Sequence, residues 1–285
     1  MNEHYAKYGK GLTKHTPKST CIKLQLRMKG PKMPNISINN EVCIIIPAKD
    51  EAKSLPHFLP QLTKAYRVIV VDNQSSDGTA QIAQDLGAET SYCATKGYGI
   101  AVQTGVNTLI DKGGHSLPKL IVILDADLSS PWKAITKLTE PILANKADFV
   151  LAQRTIREPG SMPWHAVMGN WIQAKVINML TGSSYQDMGP LRALRLDSYQ
   201  LLKMQDKNWG WNVEMQIKAQ MLGLRIGEID IRYAKRKFGK SKISGNFKAS
   251  VIVGTKILCS LLYYYLQGLK LIKRQNLHQQ KIVSH

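Results

Sequence analysis

Leu120-Ile121-Val122-Ile123-Leu124-Asp125-Ala126-Asp127 runs five apolar residues directly into two carboxylates. An unbroken apolar run containing Ile and Val predicts a strand covered on both faces. Alternate side chains of an extended chain point the same way, so Asp125 and Asp127 are expected on one side. Two such carboxylates repel each other unless a cation lies between them, and a hard divalent ion carrying a diphosphate is the usual solution. The tripeptide alone does not decide this, because Asp-x-Asp also occurs in turns and helix caps.

Two further runs repeat the pattern. Val42-Cys43-Ile44-Ile45-Ile46 is closed by Pro47, which cannot continue a central strand, and by Ala48-Lys49-Asp50-Glu51. A helix is predicted over Ala52–Ala65, with Asp50 and Glu51 at its start, where acids complement the helix dipole even without a ligand. Val68-Ile69-Val70-Val71 leads into Asp72 and the polar turn Asn73–Gly78, ahead of a helix over Thr79–Leu86 that Ser76 or Asp77 would cap. Asp72, at a strand end, suits hydrogen bonding to a nucleobase edge. Strands alternating with helices predict an α/β fold with a parallel sheet. Its carboxyl edge would gather Glu51, Asp72, Asp125 and Asp127, where open sheets of this kind bind ligands. Such a gathering points to a polyvalent ligand held through a cation, such as a nucleoside diphosphate.

Gly97-Tyr98-Gly99 opens a predicted helix over Ile100–Ile110; it is a plain turn or a close approach to phosphate with Lys96 in reach. A second helix candidate runs from Met162 to Leu180, with Trp164, Val167, Met168 and Trp171 at helical spacing, which reads first as core packing. Asp187 sits between Gly182-Ser183-Ser184 and Gly189-Pro190, as a turn cap or as a general base for a hydroxyl acceptor. Glu214 has the same two readings, its bland one being the start of a helix over Asn212–Leu222.

The chain has 285 residues and a formal net charge of +19. That length suffices for one large domain with a sizeable core. Residues 1–34 hold eight Lys or Arg against one acid, and residues 232–285 hold twelve against none, while 35–231 carry nineteen of each sign. Basicity therefore belongs to the two ends and suits an anionic membrane or an anionic substrate. No zinc-finger, helix-turn-helix or RNA-binding signature accompanies it, so no nucleic-acid partner is expected. The four cysteines are scattered, which argues for a reducing compartment and against a disulfide frame or zinc site. Residues 1–40 read as a basic unstructured tail without a secretory signal, and 276–285 as a second tail. Between 246 and 275, Val253, Ile257, Leu258, Leu261, Leu262, Tyr265, Leu266, Leu269 and Ile272 share one helical face. Lys256, Ser260, Tyr263, Gln267 and Lys270 fall opposite, which predicts an amphipathic helix that packs on protein or lies on a membrane surface. The expected location is cytoplasmic, peripheral on the membrane's cytoplasmic face.

Taken in order, Ile46–Glu51, Val71–Thr79, Asp125-Ala126-Asp127-Leu128, Arg154, Gln186–Pro190 with Arg192, Gly210–Glu214 and Arg236–Lys242 resemble the family 2 glycosyltransferases. Within them they resemble the dolichol- or polyprenyl-phosphate sugar transferases, over about residues 41 to 258. The resemblance implies a GT-A-type nucleotide-sugar-binding fold, with helices on both faces of a mostly parallel sheet and a catalytic domain at 41–245. It implies a donor site of Pro47, Lys49, Glu51, Asp72, Asp125, Ala126, Asp127, Arg154, Arg236 and Lys242, with Lys96 nearby. Asp125 and Asp127 would hold Mg2+ or Mn2+, Asp127 directly. Arg236 and Lys242 belong to a basic loop that closes over phosphates. The segment around Trp164 and Trp171 borders the acceptor groove.

The implied reaction is inverting transfer of a hexose from a UDP- or GDP-sugar to a polyprenyl phosphate, with Asp127 and Asp187 as the catalytic acids. A lipid or small-molecule hydroxyl acceptor is the nearest rival. A nucleotidyltransferase and a non-catalytic membrane- or nucleic-acid-binding protein are further ones. The chain departs from the family pattern at Lys49, usually aromatic, at Asp50, usually Asn, and at Asn73, usually acidic. Ser129 stands where relatives with a third metal ligand carry Gln, and Asp187-Met188-Gly189-Pro190 replaces a commoner Ser-Gly loop.

Overall fold

The computed structural model of the protein describes residues 22–23, 39–113, 116–208, 210–238 and 260–273. Of the predicted unstructured tail 1–40, residues 22–23 and 39–40 are described and are extended, the former paired to the sheet, which corrects that reading there. The rest of that tail, Lys242, and residues 246–259 and 274–285 of the C-terminal region lie outside the described residues.

Eight strands among the described residues form one sheet. They are β1 (Ile22–Lys23), β2 (Asn39–Ala48), β3 (Tyr66–Asp72), β4 (Glu89–Tyr92), β5 (Leu120–Ile123), β6 (Phe149–Arg157), β7 (Arg192–Arg195) and β8 (Ile226–Tyr233). Their order across the sheet is β1-β8-β6-β7-β5-β2-β3-β4. Every pairing is parallel except those that β7 makes with β5 and β6. The helices are α1 (Leu59–Ala65), α2 (Thr79–Asp85), α3 (Tyr98–Gly113), α4 (Ile135–Leu143), α5 (Trp164–Thr181), α6 (Leu196–Leu202) and α7 (Trp211–Met221), followed by a helix at 260–273.

The predicted strands at 42–46, 68–71 and 120–124 are the central β2, β3 and β5, and the period of two along each builds a core on either face. Cys43, Ile45, Ile69, Val71, Ile121 and Ile123 pack with α3, α5, α6 and α7. Val42, Ile44, Ile46, Val68, Val70, Leu120 and Val122 pack with α1, α2 and α4. All of these strand residues are buried. Helix α3 lies so close to β2 and β3 that a Cβ on Gly105 would come within 2.6 Å of Ile45 and 2.7 Å of Val71. Both flanks of β2 pair with parallel strands, β3 on one side and β5 on the other. The connections that leave β2 and β5 therefore diverge, which opens a crevice at their carboxyl ends.

Two predicted helices need correction. In place of one helix over Ala52–Ala65 there is a 3-10 turn, Leu55–His57, and the seven-residue α1. Pro56 and Pro60 have no N–H to donate and fit only at the starts of these two elements, so the segment divides there. The helix at 260–273 docks through Leu261, Tyr264 and Gly268, with Tyr265 packed alongside, so among its described residues only Leu261 and Tyr265 of the predicted face meet the core. Leu261 and Tyr264 enter the core, Gly268 lies against the Met221 side chain, and the Tyr264 hydroxyl donates to Asp206. Leu262, Leu266 and Leu269 of the predicted apolar face stay exposed.

Candidate active site

A cavity of about 630 Å³ opens at the carboxyl ends of β2, β3 and β5. Pro47, Lys49, Glu51, Lys96, Asp125, Ala126, Asp127, Arg154 and Arg236 all line it, so nine predicted site residues spread over 190 positions of chain meet in one space. Asp72 and Asp187 are not among its lining residues.

Local chemistry explains both the gathering and the exceptions. The loops after β2 and β3 are laced together. Backbone N–H groups of Asp50, Glu51 and Ala52 donate to Ser75 Oγ, Thr79 Oγ1 and Asp77 Oδ2 at 2.9–3.0 Å, and Asp50 Oδ1 accepts from the Ser76 N–H at 2.8 Å. Asp50 thus ties loop to loop and starts no helix. Asp72 accepts the Ser75 N–H at 3.1 Å and shapes its own turn. Its neighbour Asn73 reaches the cavity. Asn73 Nδ2 donates to the carbonyls of Cys93 and Thr95, and its Oδ1 accepts the Gly97 N–H at 3.0 Å, so one amide fixes the loop that carries Lys96.

Asp125 and Asp127 follow β5 in a turn that passes through Leu128 in the left-handed region, and both line the cavity. Asp127 Oδ1 accepts from the backbone and hydroxyl of Ser129 at 2.9 and 2.5 Å. Its Oδ2 faces Arg236 Nη1 at 3.6 Å. Arg236 also pairs with Glu51, and its Nε donates to the Phe238 carbonyl at 2.7 Å, while the Phe238 ring stacks on His57. Asp125 Oδ1 is buried and has no hydrogen-bond partner among the described residues. Burial, then the charge of Asp127, pushes the Asp125 carboxyl up to about 7. Burial also raises Glu51, against the opposing pull of Ser54 and Arg236.

Arg154 and Asp187 form a buried, two-pronged pair. The Arg154 backbone N–H and Nε donate to Asp187 Oδ2 at 3.0 and 2.7 Å, and Nη2 donates to Oδ1 at 2.7 Å. Burial alone would raise the Asp187 carboxyl, but the Arg154 charge and hydrogen bonds hold it below the ordinary range. The other face of the guanidinium stacks 5.2 Å from the Tyr233 ring. Glu214 is likewise engaged: it accepts from Lys218 Nζ and from the backbone of Gln205 and Asp206, fully buried. It anchors the 203–206 segment, which is its structural reading.

Sequence reasoning passed over several contributors. Tyr98, inside α3, is buried against Asp125, and burial first, then that carboxylate, raises its hydroxyl well above the ordinary phenol. Arg192 is fully buried between the Phe149 and Trp211 rings, with its guanidinium donating to the Gly189 and Pro190 carbonyls. It holds the 187–190 loop and adds positive charge behind Asp125. The sequence marks Arg192 beside the 186–190 motif without a role, because its burial without a hydrogen-bonded carboxylate shows only in the fold. Helix α5 and the approach to α7 contribute His165, Asn170, Gln173, Asn208 and Asn212, among others, to the cavity wall and no carboxylate. The lining carboxylates, Glu51, Asp125 and Asp127, come from the loops after β2 and β5.

Among the described residues no group of three His, Cys, Asp or Glu side chains is arranged around a metal position. Asp125 and Asp127 nevertheless fit a Mg2+- or Mn2+-type ion. Such ions are commonly held by one or two carboxylates, with substrate phosphate and water completing the shell, and Asp125 Oδ1, buried in the cavity wall without a hydrogen-bond partner among the described residues, supplies a hard ligand.

The class that this architecture defines is an open, mostly parallel α/β sheet with a ligand-sized, charged crevice at the carboxyl edge of its strands. Residues 43–212 match Glycosyl transferase family 2, and the chain belongs to that family. A glycosyltransferase of Mycobacterium tuberculosis is 31% identical over 211 residues, covering 74% of this chain and 93% of that protein. The undecaprenyl-phosphate mannosyltransferase of Micrococcus luteus is 30% identical over 229 residues, 74% of this chain and 91% of that protein. Glucosyl-3-phosphoglycerate synthase of Mycobacterium tuberculosis, solved with Mn2+, UDP and glucosyl-3-phosphoglycerate, has the same fold at 15% identity, with a TM-score of 0.61 over 79% of this chain and 80% of that one. The protein is a glycosyltransferase of GT-A architecture, and it resembles the polyprenyl-phosphate sugar transferases.

Proposed function

We propose that the protein transfers a hexose, with inversion, from a UDP- or GDP-sugar to a polyprenyl phosphate, assisted by Mg2+ or Mn2+ at Asp125 and Asp127. The observation that carries this reading is the source of the lining carboxylates: Glu51, Asp125 and Asp127 come from the loops after β2 and β5, and none comes from α5 or the approach to α7. A hydroxyl acceptor needs a base to take its proton, whereas a phosphate is already ionised at neutral pH. Asp187, the expected base, has both oxygens bound to Arg154 and its carboxyl held low. Its role in this reading is to aim Arg154 at the donor phosphates.

The acceptor phosphate oxygen attacks the anomeric carbon of the sugar as the bond from that carbon to the diphosphate breaks. The bonding electron pair leaves with the nucleoside diphosphate. A divalent ion, when bound, neutralises charge developing on that leaving group. Arg154 supplies fixed positive charge beside it from a locked position, and Arg236 supplies more from its loop. Asn73 and Lys96 shape the loop over the donor. Asp72, in the family's base-contacting position, would act through the turn it holds with Ser75, and Lys242 would extend the basic loop.

A hydroxyl acceptor keeps one specific support: His165 lines the cavity and is the one imidazole there among the described residues. Labelled UDP- and GDP-sugars offered with polyprenyl phosphate or with diacylglycerol, in Mn2+ or in chelator, separate the two. The expected product is a hexosyl-phosphoryl lipid, made only with metal and within about threefold as fast by His165→Ala. Transfer to a hydroxyl alone, abolished by His165→Ala, would refute the phosphate-acceptor reading.

A further inference from the structure

Segment 203–208, between α6 and α7, has no regular structure of its own, so its course is set by what its polar groups bond to. Glu214 accepts the N–H groups of Gln205 and Asp206. Toward the active site, the Asp206 carbonyl accepts from Gln103 Nε2 at 2.8 Å and the Lys207 carbonyl from the Ile100 N–H at 3.0 Å, both donors belonging to α3. The Lys207 carbonyl lies so close to Gly97, and the Asp206 carbonyl so close to Gly99, that neither glycine has room for a Cβ. Lys96, Gly97 and Tyr98 line the cavity, so the loop that carries them rests directly on the 206–207 backbone. Asn73 pins the same loop by accepting the Gly97 N–H. Asn208, at the end of the segment, lines the cavity as well.

Asp206 is the junction between this segment and the helix at 260–273. Its Oδ1 accepts the Asn208 N–H at 2.6 Å, and its Oδ2 accepts the Tyr264 hydroxyl. Gly210, at the N-cap of α7, leaves the space which that hydroxyl fills. One turn further along the helix, Gln267 Nε2 donates to Gln205 Oε1 at 2.7 Å. No described residue of the helix lines the cavity, yet two of its side chains grip the segment on which the Lys96 loop rests. We propose that Tyr264 is a positioning residue for sugar transfer: its bond to Asp206 fixes the 206–208 backbone, and through it the placement of Lys96 and Asn208 around the donor. The proposal rests on the reading of the Lys96 loop as part of the donor site, and it adds a determinant of donor affinity outside the cavity. The carboxylate holds Asn208 with one oxygen and Tyr264 with the other, so it cannot turn without releasing one of them. A hydroxyl bonded to a carboxylate is short and directional, and the buried Tyr264 ring leaves that hydroxyl a single place to stand. An apolar ring at 264 fills the same space but leaves Asp206 free to rotate, and the two carbonyls under Gly97 and Gly99 are then held from one side fewer. Displacing a binding group by about 1 Å can cost ~100-fold in a reaction, and one layer further out about tenfold in donor affinity is expected.

The test uses the full chain and titrates UDP and GDP with Mn2+ by calorimetry, following whichever wild type binds more tightly. Tyr264→Phe keeps the ring and removes the bond. It is expected to weaken nucleotide binding about tenfold and to quicken hydrogen exchange at the Ile100 amide, which donates to Lys207. Asp206→Ala should weaken binding at least as much, and adding Tyr264→Phe to it should change affinity by no more than about twofold, because both substitutions remove one bond. Ile142→Val, a trimmed core residue of α4 on the other face of the sheet, should lower the melting temperature and leave affinity as it was. The proposal is overturned if Tyr264→Phe binds the nucleotide as wild type does, if its effect adds in full to that of Asp206→Ala, or if Ile142→Val weakens binding as much. Lys96→Ala tests the underlying reading by itself. Unchanged affinity in Lys96→Ala would remove that loop from the donor site, whatever Tyr264→Phe does to exchange at Ile100. Weakened affinity in Lys96→Ala beside normal affinity in Tyr264→Phe would keep the donor reading and sink the role of Tyr264.

Discussion

The two ends of the cavity are built from different chemistry. At the donor end three carboxylates and two guanidinium groups crowd together, with loops pinned to one another by side-chain hydrogen bonds. Where α5 and the approach to α7 wall the cavity, the side chains are amides and one imidazole with no carboxylate, and the nearby acids Asp187 and Glu214 are locked into ion pairs. The donor end is organised to hold a highly charged group and to stabilise its departure. The α5 wall is organised to admit a group that arrives already charged.

The sharpest way to break this contrast is to remove the carboxylate on which the donor end depends. Asp127→Asn should lower transfer by about 10²–10³-fold and abolish the binding of Mn2+ followed by electron paramagnetic resonance. Equal activity in the variant would mean that the carboxylate pair has no part in the chemistry. The next largest effect concerns Asp187. If it aims Arg154, Asp187→Asn should cost about 100-fold in transfer through misplacement and about 3–5 kcal/mol in stability, as expected when one partner of a buried pair is removed. The pH–rate profile should keep its shape. Loss of the acidic limb of that profile would instead identify Asp187 as the base and erase the distinction between the ends.

The smallest effect sharpens the contrast from the donor side without any ligand. Asp125 is pushed up from 3.8 to about 7 in the folded protein. Between those values the folded state keeps a proton that the unfolded chain has released, so metal-free stability should fall as pH rises from about 4 to about 7. Denaturant melts should show that slope, Asp125→Asn should flatten it, and added Mn2+ should raise stability most at the upper end. A melt indifferent to the substitution would show that Asp125 is not strained in the empty site.

The donor end was far more legible in the sequence than the acceptor end, for a physical reason. Val42–Ile46, Val68–Val71 and Leu120–Leu124 are local signals: each apolar run declares a buried strand, and the acids that follow sit at its end wherever the sheet goes. The acceptor end depends on contacts across sequence. Arg154 and Asp187 are 33 residues apart, and nothing in either neighbourhood specifies the pair. Strand β7, Arg192–Arg195, carries two arginines in four residues and gives no apolar run to read, yet it lies fully inside the sheet. At the end of β3 a single step of register separates Asp72, which turns back on its own loop, from Asn73, which reaches the cavity, and the sequence does not show which of the two does so. In α1, hydrophobic spacing suggested a longer helix than two prolines allow.

Strand β7 also has a bearing on how this enzyme can change. Because it runs against its neighbours, the connection entering it, and not the one leaving it, opens onto the same rim as the exits of the parallel strands. Met188 and Pro190 reach the crevice by that route, and Asp187 beside them reaches Arg154 in its wall. Changes at Met188 and Pro190, which line the pocket, would thus remodel it from this side, provided that Asp187 keeps its hold on Arg154. Variation in this one loop can therefore reshape the pocket while the acids after β2 and β5 stay where they are.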